Sequence, residues 1–361
     1  MSLSRWGWNS YFEAMWNEAE RANVAPARVV SQQRNCWRVA GTFGECLAEA
    51  TGKLRHQAAE DAVEGADWPA VGDWLVVELR GSSDLAAIRT VLPRQNRFTR
   101  KAAGKRIEEQ VIAANIDTAL VVSALDGDFN PRRVERYIAQ CWESSVRPVL
   151  LLNKADACEN TKEKATEMER VALGAAVYVV SAKTGEGMDE VERLLKPGQT
   201  FVMLGSSGVG KSTLTNWLLG KSLQKVNEVR AKDARGRHTT TTRELFALPC
   251  GALLIDTPGL RELQLWNADE GVAQAFAEIE NLAGRCRFKD CSHETEPGCA
   301  VQAAVQEGTL DSARFENRKK LLREQEFLRR KVDPAARSEE KRRIKKLMAG
   351  VRELYKQKDK T

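Results

Sequence analysis

TFVMLGSSGVGKSTLTNWLL, residues 200–219, is the segment around which this chain is built. The apolar run 201–204 leads into a glycine-bounded turn, and Leu214 and Leu218 then recur at helical spacing. Strand, loop and helix therefore follow one another, which is the context that a phosphate-binding loop requires. The segment predicts a nucleotide site, although the GxxxxGK[ST] pattern by itself also occurs in proteins without one.

The residues of this loop have distinct predicted roles. Backbone N–H groups face one bound phosphate, and Lys211 adds a positive charge for the outer phosphates. Ser212 offers its hydroxyl to Mg²⁺, and the helix that begins there points its positive end at the anion. The predicted phosphate-binding residues are Gly205, Ser206, Ser207, Gly208, Val209, Gly210, Lys211, Ser212 and Thr213.

Length and composition limit the class of protein. The chain has 361 residues, of which 42% are hydrophobic, and this suits two or three domains with apolar cores. The formal net charge is +6, with the excess concentrated towards the C-terminus. No run approaches the roughly 18 apolar residues of a membrane span, and the N-terminus lacks a signal-peptide pattern. We therefore expect a soluble, cytoplasmic protein with no membrane partner.

The N-terminal region reads as a small β domain. Short β-like runs alternate with turn signals at 27–30, 36–40, 73–79 and 86–92. This spacing favours a small barrel, with an OB-like form preferred. An aromatic cluster between Trp6 and Trp16 is expected to pack on the barrel. Such barrels often bind RNA or single-stranded nucleic acid, and a packing module without a ligand of its own is the other interpretation.

From Asn115 onwards the pattern changes to apolar strands separated by amphipathic helices. The predicted strands cover 119–124, 148–152, 176–180, 201–204 and 252–255. Near-continuous apolar strands alternating with helices indicate a mostly parallel sheet covered on both faces. In such a sheet the ligand lies at the carboxyl ends of the strands.

Three further motifs fall at those strand ends. In Asn153-Lys154-Ala155-Asp156, the carboxylate of Asp156 can accept from N1–H and the exocyclic amine of guanine, and Lys154 can lay its stem on the base. Ser181-Ala182-Lys183 offers a backbone N–H near Ala182 to guanine O6. In Asp256-Thr257-Pro258-Gly259, Asp256 can hold Mg²⁺ through water and the Gly259 N–H can meet the γ-phosphate. Together the motifs predict a GTPase.

The segment between Cys286 and Cys299 has a pattern typical of a metal site. Three cysteines and one histidine are spaced as Cys286-x4-Cys291-x-His293-x5-Cys299 among turn formers. Four such ligands favour a closed tetrahedral Zn²⁺ site, which would be structural because no coordination position stays open. Unliganded, reduced cysteines are the other interpretation, since the remaining cysteines are scattered as in a reducing compartment.

Two segments concentrate basic residues. Arg94 to Arg106 form a predicted loop, where a solvated linker and an RNA contact are equally good interpretations. Two C-terminal helices are predicted over 310–330 and 335–355, with basic residues throughout. Interleaved glutamates are also compatible with an ordinary solvated face, but a basic helical tail beside a zinc module suits phosphate binding, and we favour contact with RNA.

The order of the nucleotide motifs is unusual. In most GTPases the phosphate loop comes first and guanine recognition last, whereas here NKAD and SAK precede GSSGVGKST and DTPG. A sheet survives such circular permutation if the usual termini are joined and new ends open elsewhere. In this order, in VGDW at 71–74, in GRHTTT at 236–241 and in the cysteine cluster, the chain resembles the circularly permuted small ribosomal subunit biogenesis GTPases of the RsgA or YjeQ type.

The polar segment 227–243 lies where a switch loop is expected. The reaction needs a threonine there to bind Mg²⁺ and sense the γ-phosphate, and register with the family favours Thr241, with Thr240 next. Leu260 follows DTPG where many signalling GTPases carry a water-orienting glutamine. Either a partner accelerates slow hydrolysis or another group positions the water. His238 is the candidate for that group, and a structural or RNA-contacting role is its alternative.

We predict a multidomain α/β protein of three parts. These are an N-terminal arm and OB-like β-barrel (1–110), a circularly permuted P-loop GTPase domain (111–265) and a zinc-binding, basic helical domain (266–361). The predicted catalytic residues are Lys211, Thr241 and His238, and the predicted Mg²⁺ ligands are Ser212, Thr241 and Asp256.

The resemblance implies hydrolysis of GTP to GDP and phosphate, late maturation of the small ribosomal subunit, and stimulation of hydrolysis by its rRNA. A monomer is expected. Two other functions fit the same motifs: an RNA-binding switch that uses GTP with little turnover, and a GTPase that acts on tRNA or another RNA.

Overall fold

The computed structural model describes residues 2–17, 24–33, 36–60, 68–79, 85–101, 109–220, 243–256 and 269–332. Several predictions concern residues outside these ranges, namely those for His238, Thr240, Thr241, Gly259, Leu260 and the helix over 335–355. Within the described ranges, no helix combines the length and the apolar character needed to cross a bilayer.

The N-terminal region forms the predicted barrel. Its strands are β1 (Val24–Gln33), β2 (Cys36–Gly41), β3 (Gly44–Ala50), β4 (Trp74–Glu78) and β5 (Leu85–Val91). Pairing runs β1–β2–β3–β5–β4 and closes because β4 also pairs with β1. This closed arrangement of five strands, with helix α2 (Gly52–Glu60) between β3 and β4, confirms the OB-like prediction.

The N-terminal aromatic residues pack on this barrel, as predicted. They lie on and around helix α1 (Ser10–Asn17). The ring of Trp8 lies 4.6 Å from that of Trp74 in β4, and the ring of Phe12 lies 5.9 Å from it. Phe12 and Trp74 are fully buried, so the N-terminal helix extends the barrel core.

The predicted basic loop after the barrel is largely wrong. Residues Arg97–Lys101 form strand β6, which pairs antiparallel with β7 (Glu109–Ala114). Arg94 is a structural residue, because its guanidinium makes two 2.7 Å bonds to the fully buried carboxylate of Asp73. The sign of strand alternation in this segment is that Phe98 is buried while its neighbour Arg97 is exposed. Such a short pattern is difficult to recognise among basic residues.

The central domain contains the predicted parallel sheet. Its strands are β8 (Thr118–Ala124), β9 (Arg147–Asn153), β10 (Ala176–Val179), β11 (Thr200–Leu204), β12 (Glu244–Ala247) and β13 (Leu253–Asp256). They lie in the order β10-β9-β8-β11-β13-β12, and every neighbouring pair is parallel except β12 with β13. The phosphate-loop strand β11 therefore lies in the middle.

Helices cover both faces of this sheet because alternate strand residues point to opposite sides. Helices α3 (Pro131–Glu143) and α4 (Thr161–Val171) bury one face, where Val121 and Leu150 meet Ile138 and Met168. Helices α5 (Met188–Leu194) and α6 (Lys211–Leu219) bury the other, where Leu120, Val122 and Leu151 meet Leu214. The motifs are left at the strand ends.

The barrel and the parallel sheet are joined by hydrogen bonding between strands. Strand β12 pairs antiparallel with β1 at Ser31 and Glu244. The carboxylate of Glu244 also pairs with Arg38 of β2. Among the described residues, eleven strands thus form one continuous sheet from β10 to the barrel. The predicted division at residue 110 falls within β7, and the domain bounds stay predictions.

The C-terminal region begins with α7 (Asp269–Ala275) and α8 (Ala277–Ala283), followed by α9 (Ala300–Gln306) and α10 (Ser312–Val332). Helix α7 lies close against α3, because a Cβ on Gly271 would stand 2.2 Å from the Ala139 carbonyl oxygen. The Gly271 N–H donates to Glu143 at 3.0 Å. The C-terminal helices therefore dock directly on the domain that contains the parallel sheet.

A buried ion-pair network secures this docking. The fully buried carboxylate of Glu135 in α3 accepts from Arg314 of α10 at 2.6 Å and from Arg132 at 2.7 Å. Burial raises the pKa of Glu135, and the two arginines oppose that effect. The Arg314 guanidinium also donates to the Ala275 carbonyl at 2.8 Å and lies 4.7 Å from the ring centre of Phe276.

Replacing Arg314 with methionine is expected to destabilise this contact by about 3 kcal/mol, because it leaves the buried carboxylate of Glu135 without its principal partner. Thermal unfolding followed by circular dichroism measures the effect. Arg323→Met is the matched control on the same helix, since that side chain is 70% exposed and lies 3.9 Å from Glu294. Equal melting temperatures for the two variants would contradict the structural importance of the network.

Candidate nucleotide site and metal centre

The phosphate-binding loop follows β11 at the centre of the sheet. Gly205 has a φ of +144°, and a Cβ there would stand 2.4 Å from the Val122 carbonyl oxygen of β8. Only glycine fits this approach of the loop to the neighbouring strand. Helix α6 begins at Lys211 directly after Gly210, whose φ is +99°. The predicted strand, loop and helix are confirmed.

The side chains of the loop are arranged around its mouth. Lys211 Nζ donates to the carbonyl oxygens of Gly205 and Ser206 at 2.6 and 2.5 Å. The lysine is therefore held against the loop through acceptors that phosphate oxygens can replace. Ser212 and Thr213 lie exposed in the first turn of α6, where hydroxyls can reach a metal ion or a phosphate.

Asn153 at the end of β9 connects the phosphate loop to the base-recognition loop. Its Nδ2 donates to the Val209 carbonyl at 2.8 Å, and its Oδ1 accepts from the Ala182 N–H at 3.0 Å. A Cβ on Gly210 would stand 2.2 Å from Asn153 Nδ2, so the amide reaches the loop only because residue 210 is glycine. The Ala182 N–H is engaged by Asn153 rather than open to a base.

The other residues predicted to recognise the base lie at the same edge. The carboxylate of Asp156 accepts from Ser181 Oγ at 2.7 Å and pairs with Lys183 Nζ at 3.5 Å. The bond from Ser181 is the largest cause of a pKa of Asp156 below its ordinary value, so the group is ionised at neutral pH. An ionised acceptor is what a guanine edge with two N–H donors requires.

Asp256 ends β13 on the far side of the phosphate loop, where its half-buried carboxylate is suited to a metal-bound water. The predicted Mg²⁺ ligand Thr241, the γ-phosphate contact Gly259 and the catalytic candidate His238 lie outside the described residues. The structure thus brings together the motifs ending β9, β10 and β11, and it places Asp256 on the strand beside β11.

Three residues at this site were missed by the sequence motifs. They follow β8, in the loop 125–130 and the first turn of α3. Asp128 accepts from Ser206 Oγ and from Arg133 Nη1, both at 2.7 Å, and Arg133 also donates to Ser206 Oγ at 2.7 Å. Asp126 pairs with Lys154 Nζ at 2.6 Å. The sequence could have indicated the two aspartates by their position, because they follow a strand whose carboxyl end lies at the ligand edge of the sheet.

The predicted metal ligands converge in the C-terminal region. One ligand atom from each of Cys286, Cys291, His293 and Cys299 lies within 4.8 Å of the others. His293 Nδ1 is 3.6 Å from Cys286 Sγ and 3.5 Å from Cys299 Sγ, and those two sulfurs are 3.9 Å apart. Ligands at zinc bond lengths in a tetrahedron stand roughly 3.5–3.8 Å apart, so these residues fit such an ion.

Neighbouring groups orient these ligands. Cys299 caps the N-terminus of α9 by accepting from the Gln302 N–H at 3.4 Å, and Gln302 Nε2 donates to the His293 carbonyl at 2.6 Å. Burial alone would raise the pKa of Cys286, but hydrogen bonds from the backbone N–H groups of Ala300 and Val301 and from the Cys299 and Cys291 side chains together lower that pKa. Such bonds favour the thiolate form that binds metals.

Comparison with protein families gives two matches. A family model described as RsgA GTPase matches residues 91–266. This range includes NKAD, SAK and the phosphate loop. A model described as ABC transporter matches residues 188–360. The second match contains the phosphate loop, which many nucleotide-binding proteins share, but it begins after Asp156 and Ser181 and so lacks the base-recognition motifs.

Curated proteins match over nearly the full chain. A protein of Opitutus terrae named small ribosomal subunit biogenesis GTPase RsgA is 45% identical over 361 residues, covering 98% of this chain and 97% of its own. The protein of the same name from Syntrophotalea carbinolica is 43% identical over 325 residues, covering 88% of each chain.

Solved structures share the fold. The crystal structure of YjeQ from Thermotoga maritima matches with a TM-score of 0.63 at 27% identity, covering 84% of this chain and 98% of that one. The crystal structure of YloQ, described as a circularly permuted GTPase, matches with a TM-score of 0.59 at 21% identity and covers 96% of its own chain. The latter likeness supports the fold alone.

Replacing Asn153 with alanine is expected to weaken guanine-nucleotide binding by about ten-fold or more, because it removes two hydrogen bonds between buried groups that set the spacing of the two loops. Titration with a fluorescent GDP analogue measures the loss. Asn160→Ala is the control, since Asn160 is exposed and makes no side-chain cap to α4. Unchanged affinity in Asn153→Ala would show that the loops keep their spacing without the amide.

Proposed function

This chain belongs to the RsgA GTPase family, and from that membership we propose that it uses GTP hydrolysis in the maturation of the small ribosomal subunit, with ribosomal RNA stimulating turnover. One observation carries the proposal: Asn153 joins a guanine-type recognition motif to the phosphate loop in permuted order, in a chain 45% identical over its length to a protein named for small-subunit biogenesis.

Each predicted site residue is assigned one part in the reaction. Lys211 and the amides of residues 205–210 neutralise the phosphates, and Asp156 reads the guanine edge. Bound Mg²⁺ would draw charge from the β- and γ-phosphates, and Ser212, Thr241 and Asp256 are its proposed protein partners. The chain's contribution is positioning, since the attacking water and the leaving oxygen must lie in line.

The group that orients the attacking water is also proposed. Leucine at position 260 has no polar atom for that task, and His238 in the segment 227–243 is our candidate. We propose that ribosomal RNA stimulates hydrolysis through this segment.

We assign zinc to the Cys286, Cys291, His293 and Cys299 cluster. Three thiolates and an imidazole suit Zn²⁺, and four protein ligands close the coordination sphere, so the ion would be structural. The cluster lies beside α10, since the ring of His293 is 6.4 Å from that of Phe315. Zinc would thereby hold the segment 286–299 on the helix that docks on α3.

The surfaces proposed to contact RNA are the barrel and the basic part of the C-terminal region. The support differs among the basic residues of α10. Arg314 and Arg318 are committed to Glu135 and Glu280, and Lys319 pairs with Glu316 at 3.1 Å, whereas Arg323 is largely exposed. An exposed arginine suits a phosphate contact. We further propose that the protein acts in the cytoplasm as a monomer.

GTP hydrolysis by the purified protein is expected to rise at least ten-fold on addition of small ribosomal subunits, but not of large subunits or tRNA, if rRNA completes the water-positioning apparatus. Phosphate release measures it, with Lys211→Ala as the blank. No stimulation by any of these partners would overturn the rRNA-activated mechanism. Stimulation by tRNA alone would assign the protein to another RNA.

The zinc assignment predicts one equivalent of Zn²⁺ per chain, which Cys286→Ser should lose together with several degrees of melting temperature. Elemental analysis of the purified protein provides the measurement. Cys250→Ser is the matched control, because Cys250 is exposed and distant in sequence from the cluster. A Cys286→Ser variant that retains one equivalent of zinc would remove the cluster as the binding site.

A further inference from the structure

The loop 125–130, between β8 and α3, places a carboxylate beside the lysine of the NKAD motif. Asp126 Oδ2 accepts from Lys154 Nζ at 2.6 Å. We propose that Asp126 is a positioning residue of the guanine-nucleotide site, which fixes the Lys154 side chain so that its stem forms a platform for the base. This inference rests on the proposed assignment of guanine to the Asn153–Asp156 motif.

The argument begins with Lys154 itself. It follows β9 with a φ of +66°, a left-handed conformation that is uncommon for lysine. The backbone is therefore turned at this point, one residue after Asn153, which contacts the phosphate loop. A free lysine side chain carries about 2 kcal/mol of rotamer entropy, which binding of a base would have to offset.

Asp126 removes much of that freedom before any ligand arrives. Its two oxygens have separate tasks, because Oδ1 accepts from the Asp128 N–H at 3.1 Å while Oδ2 holds the ammonium. The bond from Lys154 is the largest cause of a lowered pKa of Asp126, so this carboxylate is ionised at neutral pH. With the ammonium held, the four methylene groups of Lys154 are pre-organised.

The loop that carries Asp126 is attached to the same strand end. The Leu125 N–H donates to the Asn153 carbonyl at 2.9 Å, and the Leu125 carbonyl accepts from Lys164 Nζ at 2.6 Å. The register of β8 and β9 places Ala124 opposite Asn153. Asp126 lies two residues beyond Ala124, and Lys154 lies one residue beyond Asn153. The pairing of β8 with β9 therefore fixes the distance between Asp126 and Lys154.

A purely structural salt bridge is the competing explanation. Both side chains are about one-third exposed, and pairs with this exposure contribute little to folding stability. Loss of the pair should therefore leave the melting temperature nearly unchanged. A function in base binding would appear instead as weaker affinity for nucleotides.

The test is a double-mutant cycle on the full-length protein with fluorescent GDP as the probe. Asp126→Asn keeps an acceptor for the Asp128 N–H but loses the charge, and Lys154→Met keeps the stem but loses the ammonium. We expect each to weaken GDP binding by about three- to five-fold, and the double variant to be no weaker than Lys154→Met, because the two residues act as one unit. The variants should lose affinity for inosine diphosphate, which lacks the exocyclic amine, by the same factor as they lose affinity for GDP.

Glu78→Gln is the matched control, since Glu78 pairs with Arg89 in the barrel and its side chain is similarly exposed, at 31%. Wild-type affinity in Asp126→Asn, or additive losses in the double variant, would overturn the inference and leave the proposed function intact. Failure of the wild-type protein to bind GDP would instead overturn the assignment of guanine to this site.

Discussion

The buried amide of Asn153 is the constraint on which the nucleotide site depends. One side-chain atom accepts from the loop after β10 and another donates to the loop after β11. Strand β9 is not adjacent to β11, because β8 lies between them. The amide thus spans the edge of a central strand, and it can do so because Gly210 has no Cβ. The motif proposed for base recognition and the phosphate loop are therefore joined by one side chain, although the two motifs are about fifty residues apart.

Helix α3 relates this unit to the C-terminal region. Arg133 in its first turn bonds to Ser206 of the phosphate loop, while Glu135 is buried against Arg314 of α10. Neighbouring residues of one helical turn thus face two different parts of the protein. One helix therefore contacts both the phosphate loop and the C-terminal helices. The cysteine cluster lies beside α10.

Much of this architecture could be predicted because apolar strands and glycine-bounded loops leave clear local patterns. Strand β3 could not be predicted, since GECLAEA consists largely of glutamate and alanine, which have low strand propensity. Hairpin β6–β7 was not predicted, because basic residues in β6 obscure the strand pattern. Asp126 and Asp128 have no motif of their own, and their role depends on β8 lying beside β9 and β11. Arg94 shows the reverse error, because a basic residue in a basic segment proved to be buried with Asp73.

The pairing of β12 with β1 has a consequence for dissecting the protein. Strand β12 would otherwise be the last strand of the parallel sheet, and its unpaired backbone groups would be available to any other chain. The barrel covers that edge, with Glu244 held by Arg38 at the junction. A fragment that begins after the barrel would therefore expose the unpaired edge of β12, to which other chains can bind. Loss of activity in such a truncation would report self-association as readily as the loss of a partner-binding surface, so point substitutions are the sounder way to separate the functions of the two domains.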